Sequence, residues 1–363
     1  MFSSNNKISV RQLQILLILD IFGTSVVTMP RILAGYTSQD GWVLIIPAVL
    51  LGIIYVALIT SASSISPGES FFNLCAFVAG RPLAYLISLL LAAKMILVAA
   101  FEIRRFGEVV SQELLRATPF YIICLTMLAI SAYAAAKGFE TRARLAELLI
   151  LVVLVPIALT FLIDAFDVDY SNLLPVGRLP GTNYLKGAYV ASFAFSGLEM
   201  LMVAAPYVVN PGKIKKASMQ VVIALGAMFL AVTIITVARF GPIEIKKQMW
   251  PVIEIMDAIN IPGSFIERQE ALIMSFWIIS VFASVNAGLF FSSLLLKDVF
   301  KKGGHSSYML FIAPVIFLVA YMPKDIFEVD RHLKLLNFSL GAAFLFVIPL
   351  ALIIIAKIRK VGG

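Results

Sequence analysis

Residues 18–31 read "ILDIFGTSVVTMPR". The flanks are apolar enough for a bilayer span, yet the centre is Gly23, Thr24 and Ser25, with Asp20 before it and Pro30 after it. Hydrocarbon has no water to satisfy a broken helix, so a break is tolerated only where protein or an aqueous cavity surrounds it. A matching interruption lies at 189–208, "YVASFAFSGLEMLMVAAPYV", where Ser196 and Gly197 are followed by Glu199. Two interrupted apolar segments in corresponding places predict an all-helical integral membrane protein with an internal repeat.

Composition agrees. Of 363 residues, 61% are hydrophobic and 14% charged, and the mean hydropathy is +0.97. Windows of about 19 residues predict ten spans at 11–35, 42–63, 83–107, 119–136, 143–165, 185–208, 217–239, 267–296, 307–322 and 335–356. They divide as five plus five, a single domain over 1–363 with approximate repeats 11–165 and 185–356. Each half has an odd number of passes, so the halves insert in opposite directions. The net charge of +8 sits in short loops between apolar runs, which sets orientation and argues against nucleic acid. Lys7 and Arg11, then Lys137, Arg142 and Arg144, then Lys213, Lys215 and Lys216 fall on one side with Lys297, Lys301, Lys302 and the basic tail. Both termini are therefore expected in the cytoplasm. The first apolar segment is too long for a cleaved signal and lacks an A-x-A site. Residues 241–265 read as short interfacial helices. Cys75 and Cys124 form no framework and read as packing residues.

A broken helix offers backbone amides at one half-helix N-terminus and carbonyls at the other half's C-terminus, which can hold a carboxylate and an ammonium. Gly23 and Gly197 remove side chains that would block a ligand. Either glycine alone reads as helix packing; the symmetric pair, each beside polar residues, reads as a binding site. Gly52, by contrast, is expected to face lipid.

"FGTSVVTMPR" at 22–31, "FEIRRFGE" at 101–108, "NLLPV" at 172–176, "FSGLE" at 195–199 and "FIERQEALIMSFWIISVF" at 265–282 together resemble the GerAB-type spore germination proteins. These are relatives of amino-acid permeases in the amino acid–polyamine–organocation superfamily. The resemblance spans essentially the whole chain. It implies a LeuT-like fold of two inverted five-helix repeats with helices one and six broken. It also implies a germinant-receptor B subunit in the endospore inner membrane, beside an A-type membrane subunit and a C-type lipoprotein. By the same resemblance Val98 lines the ligand pocket; on its own it reads as packing.

Ionisable groups inside a membrane are costly and are functional candidates. "SGLE" fits a capping box in which Ser196 and Glu199 satisfy freed amides, or Glu199 senses a ligand ammonium. Glu102 and Arg105, at i and i+3, share a helix face and are expected to pair near the external gate. Asp20 and Lys94 have opposite charge and similar depth, which predicts a buried pair or a coupling proton carrier. Ser284 and Asn286 read either as sodium-site hydroxyl and amide or as helix packing. The substrate-binding set is thus Gly23, Thr24, Ser25, Val98, Ser196, Gly197, Glu199 and Ser284. No cofactor, metal cluster or catalytic motif is expected, and the chain does not read as an enzyme. The leading reading is a membrane subunit that senses a small-molecule germinant, an amino acid. The alternative is a proton- or sodium-coupled secondary transporter.

Overall fold

The computed structural model describes residues 7–258 and 269–361, with the side chains of Thr24, 256–258, 269–273 and 276 outside the description. Ser9 opens the first helix, α1 (Val10–Ser25), through a reciprocal capping box with Gln12. Three residues later α2 (Met29–Thr37) starts with Pro30 in its first turn, where a missing N–H costs nothing. A 3₁₀ turn, Ser38–Leu44, runs directly into α3 (Ile45–Ser63). There follow α4 (Phe71–Ala79), α5 (Arg81–Val109), α6 (Phe120–Ala136) and α7 (Phe139–Asp164). The second interrupted segment is α8 (Gly181–Ser192), a 3₁₀ turn Phe193–Phe195, and α9 (Met200–Ala204). The chain then forms α10 (Ile214–Glu244), α11 (Pro251–Ala258), α12 (Gln269–Phe300), α13 (His305–Tyr321), α14 (Ile326–Leu336) and α15 (Ile348–Arg359).

Among the described residues, seven helical stretches are long and apolar enough to cross a membrane, against the ten spans expected. The difference has a simple origin. The expected spans 11–35 and 42–63 are cut differently, because α2 and α3 join through the 3₁₀ turn while α1 stands alone with 16 residues. Two further apolar helices, Phe120–Ala136 and His305–Tyr321, are shorter. The nine-residue α4 lies outside the expected spans, and so does the amphipathic α14 except for its last two residues. Asp325 caps α14 by accepting from the Glu328 amide at 2.8 Å, and π-helical turns at Asn337–Gly341 and Ala343–Val347 carry the chain on into α15. Of the expected interfacial helices at 241–265, α11 is described; residues 259–265 lie outside the described set, as does the start of the expected span 267–296.

Between helices in lipid there is little hydrophobic drive, so close approach depends on small residues. A Cβ added to Gly288 of α12 would meet Ala99 Cβ of α5 at 2.7 Å, and one on Gly23 of α1 would meet Ser280 Cβ of α12 at 2.8 Å. These two contacts seat α12 against α5 and α1. Gly52 does not face lipid: it is buried, and a Cβ there would meet Val222 and Phe195 at 2.9 and 3.0 Å. Ahead of α1, Ile8 donates to the Tyr207 carbonyl at 2.8 Å and accepts from Val209 at 3.0 Å. The start of one interrupted segment is thus tied to the end of the other.

Candidate functional site

The two interruptions lie against each other. Ser25 Oγ donates to the Ala194 carbonyl at 3.0 Å, bolting the end of α1 to the 3₁₀ turn after α8. Beside this bolt is a cavity of about 310 Å³, walled by the start of α2, α5, the 193–200 segment, α12 and α14. The first break comes later than expected. Gly23, Thr24 and Ser25 form the last turn of α1, and the non-helical residues are Val26, Val27 and Thr28. A single glycine weakens a helix by about 1 kcal/mol without ending it. Gly23 serves packing against Ser280 and is absent from the cavity wall, whereas Ser25, Thr28 and Met29 are on it. Thr28 stands at the N-cap of α2 and makes no side-chain cap there.

The second break is set by Ser196, which leaves the helical region at ψ 130°, and by Gly197 at φ 117°. That φ favours glycine strongly. Glu199 turns back to accept from the Gly197 amide at 2.9 Å. The expected capping box does not form: α9 has no side-chain cap, and Ser196 Oγ instead accepts from Lys94 at 3.0 Å. Glu199 Oε1 takes the Lys94 ammonium as well. Lys94 therefore does not pair with Asp20.

Asp20 pairs with Arg142 of α7, whose Nη2 reaches its two oxygens at 2.7 and 2.5 Å. Arg142 Nε donates to Asn286 Oδ1 at 2.8 Å, and Asn286 Nδ2 donates to the Ser131 carbonyl at 2.9 Å. Ser284 Oγ donates to the Asp20 carbonyl at 3.1 Å. One buried network thus joins α1, α6, α7 and α12, and Asp20 lies where it meets the cavity. In the sequence Arg142 reads as a loop charge, just ahead of the expected span 143–165. A buried carboxylate demanding a cation was its only sequence signal.

At the other end of the cavity the expected Glu102–Arg105 pair is present at 3.1 Å. Arg105 also reaches Asp330 of α14 at 3.2 Å, and Asp330 takes Arg31 of α2. Asp330 joins the site from a stretch outside the expected spans, and Asn337 joins it from the start of the expected span 335–356. Of the residues singled out from sequence, Ser25, Val98, Ser196, Gly197, Glu199, Ser284, Asp20, Lys94, Glu102 and Arg105 all border the one cavity. Gly23 does not, and the Thr24 side chain lies outside the described set.

Fold and site define a helical membrane protein with a largely apolar cavity, bordered by several charged side chains, between two helix interruptions. Residues 7–329 match the family model described as spore germination protein, and the chain belongs to that family. Spore germination protein YndE of Bacillus subtilis (strain 168) is 30% identical over all of this chain and 99% of its own length. Spore germination protein B2 of the same organism is 28% identical, covering 96% and 95% of the two chains. Spore germination protein GerLB of Bacillus cereus is 26% identical, covering 94% and 92%.

Proposed function

We propose that this protein is the B-type membrane subunit of a spore germinant receptor and that the cavity binds a germinant, an amino acid. The carrying observation is the cavity between two abutting helix breaks, with the uncapped amide end of α2 on one side and Glu199 on the other. A helix N-terminus favours a carboxylate and a buried carboxylate favours an ammonium, so a zwitterion of amino-acid size satisfies both ends. Ten passes in two inverted halves, with α1–α2 and α8–α9 as the corresponding interrupted elements, is the topology this reading adopts. Both termini are then cytoplasmic, the membrane is the inner membrane of the endospore, and the signal passes to an A-type subunit and a C-type lipoprotein. Ligand affinity that differs between conformations shifts their populations.

The test is thermal unfolding of the purified chain in nanodiscs across the twenty amino acids. A saturable rise in melting temperature with one or a few, lost in Glu199→Gln, supports the reading; no rise with any contradicts it. Uptake of the same compound into liposomes would instead assign the chain to coupled transport.

A further inference from the structure

Glu199 already holds an ammonium. Lys94 is fully buried, at 0% exposure, with Nζ on Glu199 and 3.0 Å from Ser196 Oγ. The second Glu199 oxygen takes the Gly197 amide, so this carboxylate lies on the non-helical segment that walls the cavity. Burying such a pair gains little or no stability over an apolar replacement of similar shape. Lys94 is also among the residues that wall the cavity.

We propose that Lys94 is an internal competitor for the cavity's ammonium site: an incoming primary ammonium displaces the Lys94 Nζ from Glu199 and Ser196. Lys94 thereby sets the concentration at which a cationic group is registered. The inference rests on the reading of the cavity as a binding site, while its main test involves no amino acid.

Truncating Lys94 to alanine removes three carbons and the nitrogen, which are the atoms of n-propylammonium. The purified Lys94→Ala chain should unfold at lower temperature than wild type and be restored saturably by n-propylammonium chloride. Equal tetramethylammonium chloride, too bulky and without N–H donors, should not restore it. Wild type, in which Lys94 competes for the site, should respond only at a concentration at least about tenfold higher, and Lys94→Ala/Glu199→Gln should not respond. No restoration, or equal restoration in the double variant, overturns the proposal. Should Lys94→Ala fail to fold, Lys94→Met, which keeps the stem without the charge, is tested by the same criterion with ammonium chloride against sodium chloride. Displacement itself predicts that a primary-ammonium ligand of wild type binds Lys94→Met at least tenfold tighter; equal or weaker binding overturns it. Amino-acid binding by wild type without rescue refutes the competition alone, and rescue without any amino-acid response refutes only the amino-acid reading.

Discussion

Asp20 is buried in an apolar helix, and such a group requires a counter-charge. Lys94 was the only cation legible at similar depth, because Arg142 stands in the first turn of α7 and reads as a loop residue. The need for a partner was readable; its identity depended on which helix packs beside α1. Removing one member of a buried pair costs about 3–5 kcal/mol, because the other is left uncompensated. Asp20→Asn and Arg142→Met should each destabilise on that order, and a double-mutant cycle should show strong coupling. Asp20→Asn with Lys94→Met should be additive to within about 0.5 kcal/mol; coupling there would reassign both pairs. A second residue prediction concerns Cys75 of α4, which lies outside the candidate spans. Burial pushes its thiol up to about 12, so at pH 8 it stays protonated as well as shielded. Maleimide should label it only after unfolding in detergent; rapid labelling of folded protein would contradict the packing of α4.

At the scale of elements, both interruptions were legible from small and polar residues in apolar runs. Their chemistry was legible only in part. Gly23 marks where α1 touches α12, and the helix opens three residues further on; glycine signals a close approach or a break alike. The positive φ of Gly197 is different, since a side chain there is strained whatever the space. Gly197→Ala should destabilise by about 1–3 kcal/mol and weaken binding. Gly23→Leu should impair folding itself by forcing α12 away. Gly35 of α2 is exposed with nothing near a new Cβ, so Gly35→Ala should be neutral or gain up to about 1 kcal/mol. Melting temperatures of the three variants check this ordering; Gly35→Ala below Gly197→Ala would contradict it. The α14 helix escaped the sequence reading because its charged residues, "PKDIFEVDRHLK", resemble a connection. Its role as a wall, through Asp330 to Arg31 and Arg105, exists only in the folded molecule.

The whole molecule is a bundle in which two interrupted segments are held together by Ser25 on Ala194 and by Ile8 on Tyr207. A ten-pass arrangement places both termini on one face. Reporter fusions at residues 1 and 363 should both report the cytoplasm, and opposite sides would require an odd number of passes. The central claim is that ligand occupies the cavity between the breaks. Val98 borders it on α5, and both native cysteines are buried, so Val98→Cys provides a single reactive reporter. The decisive measurement is its rate of modification by a small methanethiosulfonate reagent, with and without the amino acid that most raises the melting temperature. The account predicts saturable protection, half-complete at the concentration giving half-maximal binding. Full binding with an unchanged modification rate would place the ligand elsewhere.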